Sequence, residues 1–322
     1  MKLLKRCKPK IPKVKMGGFS FADIPDMSGK TVLITGANVG LGYITALECA
    51  RKGATVILAC RSQDRAQVAI DKITALVPNA KLEFLRLDLQ DLQQVKNAAE
   101  TWMSKGEPLH VLCNNAGIMA PPFGKTKDGI ETQWGTNHIG HFVLTHFLLP
   151  RLIECQPSRI VNLSSFGHNF APSEGIPSTT TINDPAKLDI WTRYGISKLS
   201  NILFTVSLAY KLKDEKVYVN ACHPGFVATE LMRGPTAAYG SIMGVMNWFY
   251  ELVVTVKPET GALTQIYLAT SPDVETKNLR GKYFVPTAKI GEPSKHGRNA
   301  ELATKLWTQS VEVAAGAGIV IA

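Results

Sequence analysis

A chain of 322 residues with 45% hydrophobic and 19% charged residues has ordinary globular composition and the length for one large α/β domain, which excludes a fibrous or wholly disordered protein. No run of about 18 uninterrupted apolar residues occurs, so a membrane-spanning helix is not expected. The formal charge of +10 sits mostly at the start: Lys2, Lys5, Arg6, Lys8, Lys10, Lys13 and Lys15 come without one acid, leaving +3 for everything after Lys15.

Residues 1–27 therefore read as a basic, flexible N-terminal tail, with Pro9 and Pro12 opposing a helix. The basic residues interrupt any apolar signal region, so an intracellular protein, cytoplasmic or peripherally attached to a membrane, is expected. A solvated arm is the plain reading. The functional one is attraction to anionic lipid headgroups, at about 1 kcal/mol per basic residue near the surface. Nucleic acid is not an expected partner, since no aromatic side chain is interleaved for base stacking before Phe19. The cysteines at 7, 49, 60, 113, 155 and 222 have no metal-ligand spacing and read as buried thiols in a reducing compartment.

After the tail the chain alternates apolar strands with amphipathic helices. Thr31 to Thr35 (TVLIT) reads as a buried parallel strand. It runs into Gly36, Ala37, Asn38, Val39, Gly40, Leu41 and Gly42, and then a helix to about Lys52. Glycines that open a helix directly after a strand let the backbone approach a pyrophosphate, whose charge the free N–H groups and the helix dipole favour. A tight βα turn without a ligand is the alternative. The next strand, about Thr55 to Ala59, ends in Cys60, Arg61 and Ser62, with no acid until Asp64. NAD enzymes commonly carry an acid there for the ribose 2′-hydroxyl, whereas an Arg accommodates a 2′-phosphate. NADP is therefore expected, with Arg61 as its clamp and Ser62 as a second contact; the alternative is an Arg that merely caps the turn.

A helix from about Ser62 to Leu76 and a strand from Leu82 to Leu87 follow, ending in Asp88 and Leu89 over the crevice where such sheets bind ligands. A further helix, about Leu92 to Ser104, precedes a strand from His110 to Cys113 and then Asn114, Asn115, Ala116 and Gly117. Tyr194 and Lys198 are four apart, so on a helix the phenol and the ammonium share one face. A fixed cation beside a tyrosine favours the phenolate and moves its pKa toward working pH, where it can serve as general acid and base.

The chain resembles the short-chain dehydrogenase/reductase superfamily from about Lys30 to Trp307. The matching pieces are TGANVGLG (35–42), LDL (87–89), NNAG (114–117), TNHIGHF (136–142), IVNLSS (160–165), YGISK (194–198) and HPGFVAT (223–229). ACRS at 59–62 together with TNHIGHF resembles the retinol dehydrogenase and WW-domain oxidoreductase branch. The resemblance implies a single doubly wound, Rossmann-type α/β domain over residues 28–310, with a seven-stranded parallel sheet in the order 3-2-1-4-5-6-7 flanked by helices. Residues 311–322 are then a C-terminal tail. It also implies a catalytic tetrad. Ser165, with Ser164 as runner-up, would hydrogen-bond the substrate oxygen and Tyr194 would transfer the proton. Lys198 would bind the nicotinamide ribose and lower the tyrosine pKa, while Asn137 would hold a water linking Lys198 to solvent. Cofactor contacts are implied at Gly36, Asn38, Gly40, Leu41, Gly42, Asp88, Leu89, Asn115, Ala116, Gly117, Tyr194, Lys198, Pro224, Gly225, Val227 and Thr229. A homodimer through the helices of Asn137 and Tyr194 is implied as well.

Other signals read blandly. His138, His141 and His146 lie on one expected helix but no HExxH or acidic cluster completes a site, so packing is expected and no metal. His168 suggests a hydrolase pair with Ser165, yet no GxSxG elbow is present. The sequon at Asn162 falls in an expected buried strand. The polar stretch between Ser165 and Tyr194, with Pro172, Pro177 and Pro185, reads as a loop on the rim of the site. Residues 225–257 are the expected lid, rich in apolar side chains from Ile242 to Val254; a helix packed on the core is the alternative. An apolar lid favours a small hydrophobic substrate, an alcohol, ketone or aldehyde, and a specialised retinoid or steroid enzyme is the variant reading. From another class, the same motifs allow an NADP(H)-binding sensor without turnover.

Overall fold

The computed structural model describes residues 18–227 and 256–321. Eight strands form one sheet in the order β3-β2-β1-β4-β5-β6-β7-β8. They are β1 (Thr31–Thr35), β2 (Thr55–Cys60), β3 (Lys81–Arg86), β4 (Val111–Asn114), β5 (Ser158–Leu163), β6 (Val217–Cys222), β7 (Tyr283–Val285) and β8 (Lys289–Gly291). The first seven pair in parallel, in the order the family resemblance implies. The sheet differs from that expectation by β8, an antiparallel edge strand joined to β7 by a short turn. Its three residues are largely exposed and too short to carry a hydrophobic period.

The β-branched, apolar runs of the central strands are buried on both faces, as crossover helices require. Alternate side chains serve different layers. Leu33, Ile57, Leu112 and Ile160 point into a core with α3 (Leu92–Ser104), α5 (Gly140–Glu154) and α7 (Ile190–Lys211). Val32, Ile34, Val56, Leu58 and Cys113 point into a second core with α1 (Gly40–Arg51), α2 (Gln63–Leu76) and α8 (Pro258–Thr270). Between β4 and α5 lie the short α4 (Thr132–Trp134) and one turn of π helix, Gly135–Ile139. The short α6 (Thr179–Ile182) interrupts the stretch before α7, which was expected to be loop throughout. A short α9 (Asp273–Thr276) follows α8, and α10 (Ala300–Gly316) closes the domain.

Residues 18–27 and 311–321, expected to lie in the two tails, include buried anchors of the domain. Ile24 and Met27 are buried in the second core, Met27 N–H donates to the Lys52 carbonyl at 2.7 Å, and the Phe19 ring meets Tyr267 edge-on at 5.2 Å. Residues 18–27 thus belong to the domain. At the other end α10 runs past residue 310, and Ala314 and Ile319 are fully buried.

That last helix packs on α5 and α7. Trp307 packs on Phe142 at 5.1 Å and on Phe204 at 6.1 Å, and Ser310 Oγ is 2.8 Å from His138 Nε2. Among the described residues no helix is long and apolar enough to cross a membrane. The expected lid, apart from residues 225–227 and 256–257, and Thr229 lie outside the described residues.

Candidate active site

The glycine loop between β1 and α1 is built for close approach. Gly36 and Gly40 have φ of +65° and +57°, a region that L side chains rarely adopt. A Cβ on Gly42 would fall 2.5 Å from the Gly36 carbonyl oxygen and the Asn115 Nδ2. No side chain caps α1 at Val39, so its first-turn N–H groups are left for a ligand at the positive end of the helix dipole. Thr35 Oγ1 accepts the N–H groups of Asn115 and Ala116, both at 2.9 Å, and Asn115 Nδ2 donates to the Thr35 carbonyl at 2.7 Å. Loop and floor are thereby held together, with Asn115 Oδ1 buried and unpartnered among the described residues. Such a cradle fits a nicotinamide dinucleotide: glycines where a pyrophosphate must come close, uncapped amides for its charge, and amide groups on the floor.

Around it, Arg61 is exposed at the carboxyl end of β2. Ser62 Oγ accepts from Arg65 N–H at 3.3 Å and so caps α2, a use the sequence reading did not assign. Asn38 is half-buried in the loop, where its main-chain amide faces the Cys60 thiol, which burial pushes up to about 11. Asp88 follows β3 and closes a turn by accepting from Gln90 N–H at 3.0 Å. Leu89 is buried, and its carbonyl would lie 2.7 Å from a Cβ on Gly140, so α5 rests on it. Pro224 and Gly225 follow β6, with Gly225 at φ +87° and its N–H donating to His223 Nδ1 at 3.0 Å. Leu41 and Val227 both reach Gly261 on α8, at 3.2 and 2.5 Å from where its Cβ would stand.

Three residues of the expected tetrad are buried and Ser165 is half-buried. Asn137 sits in the π turn, a wider turn that re-aims its side chain. Its Oδ1 accepts from Ile118 N–H at 2.8 Å, and its Nδ2 donates to the Ile118 carbonyl and to Ser197 Oγ, both at 2.9 Å. A Cβ on Gly117 would fall 3.2 Å from Asn137 Oδ1 and 3.3 Å from Lys198 Nζ, so these three groups surround one point. Lys198 Nζ donates to the Leu163 carbonyl at 3.1 Å and lies 5.8 Å from the centre of the Tyr194 ring.

The two serines at the end of β5 part company. Ser164 turns inward and donates to the Lys198 carbonyl at 2.8 Å. Ser165 caps the 3-10 turn Phe166–Phe170, accepting from Gly167 N–H at 3.0 Å, and its side chain lies beside the Tyr194 hydroxyl, favouring the phenolate. Two glycines bring this turn against α7: a Cβ on Gly167 would stand 2.6 Å from the Tyr194 ring, and one on Gly195 would stand 2.5 Å from Ala171 N. Gly195 lies within YGISK, but nothing in the sequence alone marked Gly167 or the close approach that both glycines allow.

Electrostatics depart from the sequence expectation in one respect. The Tyr194 hydroxyl is pushed up to about 12 by burial, and the Ser165 hydrogen bond is the effect that opposes it. Lys198 is itself pushed down to about 8, because burial penalises its charge. For both groups desolvation is the largest effect.

The turn after Ser165 also carries aromatic side chains. Trp191, Phe170, Phe166 and Phe226 form a row with ring centres 6.4, 6.4 and 5.9 Å apart, and the three phenylalanines are about half exposed. His168 does not pair with the Ser165 hydroxyl: its Nδ1 donates to the Ser165 carbonyl at 2.7 Å, and its Nε2 accepts from Ser294 N–H at 2.9 Å. Asn162 is buried, donating to Thr205 Oγ1 at 2.9 Å and accepting from Asn114 at 2.8 Å, so its sequon is closed to modification.

Residues 30–239 match the short chain dehydrogenase family. The chain is 42% identical over 280 residues to an uncharacterized oxidoreductase of Schizosaccharomyces pombe, covering 85% of this chain and 81% of that one. It is 38% identical over 307 residues to mouse (Mus musculus) retinol dehydrogenase 11, covering 95% and 92%. A crystal structure of an uncharacterized protein from Mycobacterium paratuberculosis superposes with a TM-score of 0.72 at 31% identity, covering 95% of this chain and all of that one. The chain belongs to the short-chain dehydrogenase family of nicotinamide-dependent oxidoreductases, and within it resembles the retinol dehydrogenases.

Proposed function

We propose that this oxidoreductase uses NADPH to reduce a hydrophobic ketone or aldehyde to the alcohol. The observation that carries the reading is the pairing of Ser165 and Tyr194 beside Lys198, at the carboxyl end of the sheet and next to the glycine cradle. The nicotinamide, when bound, supplies the hydride. Asn115, Gly117 and Lys198 would hold its nicotinamide end and Gly36, Gly40 and Gly42 its phosphates.

Ser165 Oγ and the Tyr194 hydroxyl are the donors available to a carbonyl oxygen. Because burial keeps Tyr194 a neutral phenol at physiological pH, it enters as an acid and gives its proton to that oxygen as the alcohol forms. Lys198 offers a cation beside the phenolate left behind, and Asn137 fixes the loop of Ile118 from which that side of the site is made.

Arg61, exposed where a 2′-phosphate would lie and with no acid at the end of β2, supports NADP over NAD. Within the row from Trp191 to Phe226, Phe166 directly follows Ser165 and Phe226 directly follows Gly225, which supports an apolar substrate. The retinol dehydrogenase relatives favour a retinoid as one such substrate. Peripheral membrane attachment rests on the seven basic residues before Met16, and co-sedimentation with anionic vesicles tests it.

The test is NADPH oxidation by the purified protein against hydrophobic aldehydes and ketones, retinal included, with Tyr194→Phe as control. Turnover in the wild type, lost by a factor of about 10²–10⁴ in the variant with NADPH binding retained, is the expected result. NADPH binding without turnover across the panel favours the sensor reading instead.

A further inference from the structure

We infer that His141 is a positioning residue for this site, the link through which the cofactor floor sets the register of Asn137 and the Tyr194 helix. The inference rests on the reductase reading for its consequence, but not for its geometry.

His141 lies on α5, one turn after Asn137, and is buried. Its Nδ1 is 3.0 Å from the Asn137 main-chain oxygen. A carbonyl only accepts, so Nδ1 carries the proton. Burial keeps the ring neutral, pushing it down to about 4, so Nε2 is left as an acceptor. The atom facing Nε2 is Thr35 Oγ1, at 2.8 Å. Thr35 Oγ1 already accepts from Asn115 and Ala116 N–H, and its one proton has a choice between His141 Nε2 and the Cys113 carbonyl at 3.4 Å. The shorter, directed partner wins, and Thr35 donates to His141.

The bonds then run without a break in one direction. Asn115 and Ala116 donate to Thr35, Thr35 to His141, and His141 to the Asn137 carbonyl. The Asn137 side chain donates to Ser197 Oγ, and Ser197 donates to the Tyr194 carbonyl at 2.8 Å. On one side stands the floor of the cofactor cradle, on the other the helix that carries the proton donor. The imidazole is the piece that crosses from the sheet to α5. A histidine kept only for packing would be replaceable by an apolar ring of similar size; here both ring nitrogens are engaged at opposite edges in a dry place, where losing either partner leaves a buried polar group unpaired.

Three variants of the full chain test this. His141→Phe fills the space and removes both bonds. His141→Asn returns an N–H donor near the Nδ1 position, and Thr35→Val removes the donor to Nε2. We expect His141→Phe to lower kcat at least tenfold while the NADPH Kd stays within threefold of wild type, and His141→Asn to recover most of that loss. Combining His141→Phe with Thr35→Val should cost less than the product of the two single effects. Independently of activity, ¹⁵N spectra of the His141 ring should show a neutral imidazole protonated at Nδ1 from pH 6 to 8. An Nε2-protonated ring, or His141→Phe with kcat within threefold of wild type, overturns the inference. So does a loss in all variants that follows the drop in Tm with no recovery by Asn. Were the wild type itself to turn over no carbonyl, the reductase reading would fall; the ring tautomer and the amide shifts of Asn137, Ser197 and Tyr194 in His141→Phe would still decide this one.

Discussion

Lys198 Nζ stands 5.8 Å from the centre of the Tyr194 ring, yet its hydrogen bond goes to the Leu163 carbonyl at the end of β5. The cation is anchored to the sheet, and the phenol follows its burial, up to about 12. The two directions of the reaction then differ in pH dependence. Carbonyl reduction needs the neutral phenol and should hold a constant kcat from pH 6 to 8. Alcohol oxidation needs the phenolate, whose fraction grows about tenfold per pH unit below the pKa, so its kcat should rise with pH through the same range. Steady-state rates in both directions, at saturating cofactor, check this; an oxidation rate flat from pH 6 to 8 would show that Tyr194 is already ionised.

The same anchoring makes Lys198 costly to the fold. Its ordinary value near 10.5 falls to about 8. Between those two values the unfolded chain binds the extra proton, so wild-type stability rises with pH from 8 to 10.5, and below 8 the folded protein carries the full penalty. At 1.36 kcal/mol per pH unit this is at most about 3 kcal/mol, offset by about 1 kcal/mol for the lost bond to Leu163. Lys198→Met should therefore unfold at higher denaturant than wild type at pH 7 while losing turnover, and its advantage should shrink as pH rises from 8 to 10. Equal stability at both pH values would contradict the sign.

Much of this was legible in the chain and some was not, for physical reasons. TVLIT and the glycines after it announce a strand, a turn and a helix because burial on both faces and positive φ restrict residue choice, and β1 and α1 fall where they were expected. Residues 18–27 were not legible: Ile24 and Met27 are single anchors in a segment with no period, and only tertiary contact shows them buried. At Ser164 and Ser165 the sequence offers two equivalent hydroxyls. The alternation of β5 separates them, sending one to the Lys198 carbonyl and leaving the other as cap of the next turn. At Tyr194, spacing reveals a neighbouring charge but not the depth of burial, which acts in the opposite direction.

Arg61 provides a test confined to cofactor choice. It is exposed at the end of β2 and lies outside the Ser165, Tyr194 and Lys198 cluster. Arg61→Ala should lower kcat/KM for NADPH by roughly one to two orders of magnitude, in line with about 1.5–3 kcal/mol for a hydrogen-bonded charge, and leave kcat/KM for NADH nearly unchanged. Parallel losses with both cofactors would assign Arg61 to the turn instead.

Gly195 tests how tightly the Ser165 turn is held to α7. An alanine Cβ there would stand 2.5 Å from Ala171 N and 2.6 Å from the Phe170 carbonyl carbon. Both are backbone, so no side-chain rotation relieves the contact. Alanine in place of a mid-helix glycine would by itself add up to about 1 kcal/mol of stability. Overpacking costs about 1–3 kcal/mol, so the net change should be destabilising. The turn must move away from the helix, and Ser165, its capping residue, must move with it, off the Tyr194 hydroxyl. Gly195→Ala should therefore lower Tm by several degrees and kcat by more than tenfold, while NADPH binding, which we assign mainly to the loop after β1, should change little. Thermal melts together with kcat and the NADPH Kd separate the outcomes. A variant that melts at or above wild type with unchanged kcat would mean that the turn gives way without disturbing the serine.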